Sequence, residues 1–315
     1  MNRPLPRLAA VVLALLAVGG CKRKDNNPLV GSPGVGVTGV TLAVRGVDNT
    51  QFPDIKVLLQ PKTSGGAPIT DLTVGNFQIL QGGKAGPIPT GYESASGYPF
   101  SVMLVIDHSG SMSADDGTGS SRLARAQTAA AAFLGALSSN DEAAFIEYDD
   151  SVNFVQGFTK DKNTVIAAVN ASTPAGATAT FDAIVRGAEE LSKGTGLRLL
   201  VFLTDGDDNS SSNTAATVKT KLSQAGVVAC GIVIAGGATD TATLDDIAQS
   251  TGGQLLAGTT TVELQTAFNT ILSSGLFDDI YGLSFRSKNG QGSATYSVYI
   301  NYGAFTDRAD LIDFL

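Results

Sequence analysis

The 315-residue chain predicts an α/β protein: a doubly wound, mostly parallel sheet flanked by a small antiparallel β-sandwich built from N- and C-terminal strands. Between residues 98 and 276, mostly apolar runs alternate with helical segments. Phe100 to Ile106, Leu197 to Leu203 and Val227 to Ile234 lack polar alternation and read as strands covered on both faces. On either side of that stretch, short segments alternate apolar and polar side chains, as strands with one wet face do. A composition of 43% hydrophobic and 16% charged residues supplies the core such a fold needs.

The first twenty residues read as an export signal. Arg3 and Arg7 precede an apolar run from Leu8 to Val18, which is too short to span a bilayer, and small residues follow. Val18-Gly19-Gly20-Cys21 resembles a bacterial lipobox, which implies that Cys21 becomes a lipidated N-terminus after cleavage. The expected location is outside the cytoplasm, lipid-anchored to a bacterial membrane (the outer one if the cell is Gram-negative). Residues 21–39 are poor in helix and strand character and read as a flexible tether.

Residues 40–97 form the first part of the sandwich. Val40 to Gly46, Ile55 to Gln60 and Asn76 to Gln81 are strands separated by Asp48-Asn49, Gly65-Gly66 and Gly82-Gly83. Residues 277–315 form the second part, with Tyr281 to Arg286 and Thr295 to Ile300 expected as a hairpin. An isolated hairpin is marginal in water, so both flanks should build one sandwich. Within 98–276, helices are expected at 120–137, 181–191, 213–225, 240–250 and 261–274. A hairpin is expected at 143–158 and a short strand at 254–256.

Ligands of an open parallel sheet bind beyond the carboxyl ends of its strands. Strand 100–106 ends in Asp107-His108-Ser109-Gly110-Ser111, and strand 197–203 in Thr204-Asp205-Gly206. If the strands are neighbours, carboxylates ~5 Å apart repel by ~3 kcal/mol at an effective dielectric of about 20. A shared proton, a basic side chain or a cation must offset this, and neither motif contains Lys or Arg. Nearby hydroxyls with few charges suit Mg²⁺, a hard ion that takes about six oxygens.

Three motifs occur in order: Asp107-x-Ser109-x-Ser111, Gly176-Ala-Thr178-Ala-Thr-Phe-Asp182-Ala183 and Thr204-Asp205-Gly206. Together they resemble the metal-ion-dependent adhesion site of a von Willebrand factor A (VWA) domain over residues 98–276. The resemblance implies a metal set of Asp107, Ser109, Ser111, Thr178 and Asp205. It implies Mg²⁺, with Mn²⁺ or Ca²⁺ as alternatives, and a protein ligand that presents an Asp or Glu carboxylate. Thr180 rivals Thr178, and Phe181-Asp182-Ala183 sets the register in favour of Thr178.

Other chemistries find little support. The net charge is −8, and −10 without the signal, which disfavours nucleic acid. The only histidine, His108, sits between Asp107 and Ser109 with no separate loop from which to serve a catalytic triad. No phosphate loop is present, and the acidic run from Asp205 lacks the Gly and Glu of a calcium-binding loop, having Ser210 and Ala216 there. Asp115-Asp116 and Asp207-Asp208 read as a solvated acidic rim, or as a second cation site; Cys230 reads as core. The chain therefore reads as a binding protein without a catalytic residue. The alternatives are a metal-independent scaffold of the envelope and, behind it, a metal-dependent hydrolase.

Overall fold

The computed structural model describes residues 37–234, 240–288 and 295–311; the expected export signal and Cys21 lie outside them. The N-terminal flank contributes β1 (Val40–Asp48), β2 (Asp54–Thr63), β3 (Phe77–Gln81), β4 (Lys84–Ala85) and β5 (Pro89–Ser94). The centre runs through β6 (Phe100–Asp107), α1 (Arg122–Ala136), β7 (Glu142–Tyr148), β8 (Val152–Thr159), α2 (Lys162–Ala171), α3 (Thr180–Leu191) and β9 (Leu197–Thr204). It continues with α4 (Ala215–Gln224), β10 (Val228–Ile234), α5 (Thr241–Ser250), β11 (Leu255–Gly258) and α6 (Thr261–Ser273). The C-terminal flank adds β12 (Tyr281–Arg286), β13 (Tyr296–Tyr302) and β14 (Phe305–Leu311).

The central sheet has the order β11-β10-β9-β6-β7-β8 and is parallel except for the β7–β8 pair. Its apolar runs follow from burial on both faces. Val102, Leu104 and Ile106 pack with Phe133 of α1 and Phe268 of α6, while Met103 and Val105 pack with α3, and Ile247 of α5 joins the same core. Cys230 is a buried free thiol in the first of these cores. The sequence does not predict α2: only Val165 and Val169 are buried in it, too thin an apolar stripe to stand out.

Both flanks build one sandwich, from sheets β1-β2-β12-β5 and β14-β13-β3-β4. The expected C-terminal hairpin does not form. β12 pairs with β2 and β5 in one sheet, and β13 pairs with β3 and β14 in the other. Each strand turns its apolar residues, Leu283 and Phe285 or Tyr296, Val298 and Ile300, into the core between the sheets. Splitting the two strands buries both sets, which a solvated hairpin would not do.

The sandwich closes the end of the central sheet where its parallel strands begin. Leu58 packs with Leu197, the first residue of β9, and with Ala95 and Ile280. Arg45 donates to Gln60 (3.0 Å) and to the Thr251 carbonyl at the end of α5 (2.8 Å). Gln60 in turn donates to the carbonyls of Leu276 (3.0 Å) and Asp278 (2.9 Å). At Gly46 a Cβ would lie 2.2 Å from the Gly196 carbonyl oxygen, so only glycine permits this approach. The opposite end of the sheet, where the strands finish, is left for a site.

Candidate metal centre

The β6–β9 register sets Ile106 beside Leu203, so Asp107 and Thr204 finish adjacent strands and Asp205 follows. The carboxylates of Asp107 and Asp205 are fully buried. Asp107 Oδ1 accepts from the Ser109 N–H (2.7 Å), and its Oδ2 accepts from the Thr204 hydroxyl (2.8 Å). After β6 the chain enters a 3-10 turn over Gly110–Ser113, pinned by buried Met112. This turn places Ser109 Oγ 3.1 Å from Ser111 Oγ, and Ser111 Oγ donates to Asp205 Oδ1 (2.7 Å).

The loop before α3 completes the group. The Ala175 N–H donates to the His108 carbonyl (2.8 Å), the Gly110 N–H to the Gly176 carbonyl (3.1 Å) and the Ala179 N–H to the Asp149 carbonyl (2.7 Å). Gly176 has φ +64°, and a Cβ there would meet Asp149 Oδ2 at 2.7 Å, so the turn requires glycine. Thr178 is buried and held through its backbone by Asn209 and Ser210. Its Oγ1 lies 3.9 Å from where a Gly206 Cβ would sit, and that hydroxyl makes no hydrogen bond among the described residues. Thr180 instead starts α3 and places its Oγ1 3.2 Å from the buried Tyr148 hydroxyl. The structure therefore gathers Asp107, Ser109, Ser111, Thr178 and Asp205 at one end of the sheet, and directs Thr180 into the core.

Sequence reasoning missed a sixth member, Arg122. Its Nη1 donates to Asp205 Oδ2 (2.8 Å), while Nε and Nη2 hold Asp116 in a bidentate pair (2.7 and 2.6 Å). Arg125, also buried, donates to Asp116 (2.8 Å) and to the carbonyls of Asp115 (2.7 Å) and Ser120 (2.5 Å). A signal was available. Both arginines lie in the first turn of α1, where positive charge opposes the helix dipole and needs local acids to be tolerated.

The two site aspartates therefore differ electrostatically. Asp205 has a guanidinium partner. Asp107 has no cationic partner among the described residues, and burial pushes its carboxyl up to about 6 even though Ser109 and Thr204 donate to it. Arg122 and Arg125 hold the Asp116 carboxyl down at about 2. The remaining acids have structural work: Asp115 Oδ1 accepts from the Ser120 N–H (3.0 Å), and Asp208 Oδ2 from the Phe181 N–H (2.8 Å) at the start of α3. His108 turns away from the carboxylates, its Nδ1 2.7 Å from the Thr173 carbonyl and its Nε2 4.0 Å from Asp149.

Among the described residues no cluster of three or more His, Cys, Asp or Glu side chains is assembled for a metal. A cation here would rest on hydroxyls with two carboxylates in support. That oxygen-only set fits a hard divalent ion, as do the uncompensated Asp107 and the unpartnered Thr178 hydroxyl.

The chain is similar to several solved structures. A von Willebrand factor type A protein from Catenulispora acidiphila is 11% identical, covering 87% of this chain and 72% of that one with a TM-score of 0.51. Proximal thread matrix protein 1 of the mussel byssus, solved with a zinc-occupied MIDAS motif, is 16% identical. It covers 61% of this chain and 48% of that one, with a TM-score of 0.50. An aerotolerance-related membrane protein from Bacteroides fragilis is 20% identical, covering 56% of this chain and 99% of that one with a TM-score of 0.47. No curated protein matches the chain. Residues 102–207 match the von Willebrand factor type A domain family. With the doubly wound sheet around them, they make the central segment of this chain similar to a von Willebrand factor type A domain.

Proposed function

We infer that this protein binds a protein ligand through a divalent cation, Mg²⁺ in the first instance, held by Asp107, Ser109, Ser111, Thr178 and Asp205. The observation that carries this reading is Asp107: a fully buried carboxylate without a cationic partner among the described residues, which accepts from the Thr204 hydroxyl beside the Ser109 and Ser111 hydroxyls. The bound ion would supply an electrophilic position for an Asp or Glu carboxylate of the ligand. The residues divide the remaining work. Asp107 brings uncompensated charge, Asp205 orients the Ser111 hydroxyl, and the Gly176 turn presents Thr178.

The sandwich lies at the opposite end of the central sheet, and an eight-residue strand spans about 26 Å. That geometry suits a chain tethered on the sandwich side with its site turned outward. The export signal and Cys21 extend the reading to a lipid-anchored envelope protein. Affinity capture with the full-length protein in Mg²⁺, followed by EDTA elution, tests the binding reading. Ligand retained in EDTA, or by Asp107→Ala, overturns it and favours a metal-independent scaffold. Cys21→Ser should move the protein to the soluble fraction; unchanged membrane association overturns the anchor.

A further inference from the structure

Among the described residues, Arg122 is the one cationic side chain that the structure inserts into the site, and it is nearly enclosed, with a side-chain exposure of 8%. Its guanidinium bridges Asp205 on the site side and Asp116 on the outer side, and Asp116 is shared with Arg125. The backbone is shaped for this bridge. Asp116 takes a left-handed φ of +56°, and the Arg122 N–H closes the loop onto the Ala114 carbonyl (2.8 Å). Two arginines and two aspartates thus form a chain of alternating charge that ends on a residue of the metal set.

We propose that Arg122 is a built-in counter-cation that keeps the site assembled without metal and, in return, weakens its grip on the divalent ion; this rests on the cation reading above. Arg122 acts through Asp205 as a positioning residue. It neutralises one of the two carboxylates, so an entering ion meets the full charge of Asp107 alone. A unit charge about 6 Å from a divalent ion, even in the dielectric of water, lowers affinity by about tenfold. Asp116 tempers that repulsion from the other side, so removing either partner should shift affinity in opposite directions.

The test is Mn²⁺ binding to the full chain by isothermal titration, with thermal melts in EDTA alongside. Arg122→Gln should bind Mn²⁺ about tenfold more tightly and melt lower in EDTA, with Mn²⁺ restoring the loss. Arg122→Lys, which keeps the charge, should stay near the wild-type affinity. Asp116→Asn should bind severalfold more weakly, and it decides the matter if Arg122→Gln fails to fold. If the wild type binds Mn²⁺ but Arg122→Gln binds no more tightly, or Asp116→Asn no more weakly, the counter-cation is overturned and the metal site stands. If neither wild type nor Arg122→Gln binds Mn²⁺, the metal reading itself is overturned and the counter-cation with it.

Discussion

Replacing Asp107 with asparagine should stabilise the cation-free protein while abolishing its response to divalent ions. Burial raises this carboxyl from its ordinary 3.8 to about 6. At 1.36 kcal/mol per pH unit, holding it ionised costs the folded state about 3 kcal/mol. Asparagine removes that cost and keeps the geometry. Its oxygen can accept from the Ser109 N–H, and its amide can donate to Thr204 Oγ1, whose proton can point to the Gly206 carbonyl at 3.1 Å. The sign follows from linkage. Between about pH 4 and 6 the folded chain keeps a proton that the unfolded chain has lost, so wild-type stability in EDTA falls as pH rises through that window. The Asp107→Asn variant lacks this decline. Melting curves in EDTA from about pH 4 to 8 measure the difference, which should reach several degrees at the upper end, since 1 kcal/mol moves the midpoint by about 2–4 °C in a protein of this size class. Mn²⁺ should then raise the wild-type midpoint and leave the variant unmoved. A variant that melts below wild type in EDTA near pH 8 would refute the claim that desolvation outweighs the two hydrogen bonds.

Three further outcomes follow from the packing and charge around the site. Phe133→Ala empties a fully buried position whose ring lies 4.8 Å from that of Phe268; denaturant unfolding should show a loss of about 3–5 kcal/mol. Gly176→Ala forces a Cβ to within 2.7 Å of Asp149 at a φ of +64°. It should cost about 1–3 kcal/mol and lower Mn²⁺ affinity by displacing Thr178, whereas equal affinity would separate that loop from the site. Asp116, held at about 2 by Arg122 and Arg125, contributes stability that is complete above its ordinary 3.8 and lost as pH falls toward 2. Acid titration followed by circular dichroism should therefore show a shallower low-pH limb in Asp116→Asn than in wild type.

The features legible in the sequence are those that local pattern encodes. β6, β9 and β10 announce themselves because both faces of each are buried, which leaves no polar alternation to confuse them with edge strands. The ends of β6 and β9 then locate Asp107 and Asp205 without further information. The pairing of β12 and β13 could not be read in this way. Adjacent strands with a turn-rich connection favour a hairpin, and only the shared core with β2 and β3 decides otherwise. Helix α2 escaped because two buried valines in ten residues give no distinct periodicity. Arg122 escaped for a different reason: its place in the first turn of α1 signals a need for acids, but the partner that puts it in the site, Asp205, is 83 residues away.

That pairing changes what the two aspartates are. In sequence they look equivalent, each at the carboxyl end of a mostly apolar strand. In the fold, Asp205 is a neutralised pivot that accepts from Ser111 and leans on Arg122, while Asp107 has no cation beside it among the described residues. The repulsion that seemed to demand a cation between the two carboxylates is therefore halved by the protein itself. What remains is the desolvation of Asp107, which on the proposed function a divalent ion would relieve. On the proposed function the site would persist empty and fill weakly and reversibly, because its electrostatic deficit is one carboxylate and not two.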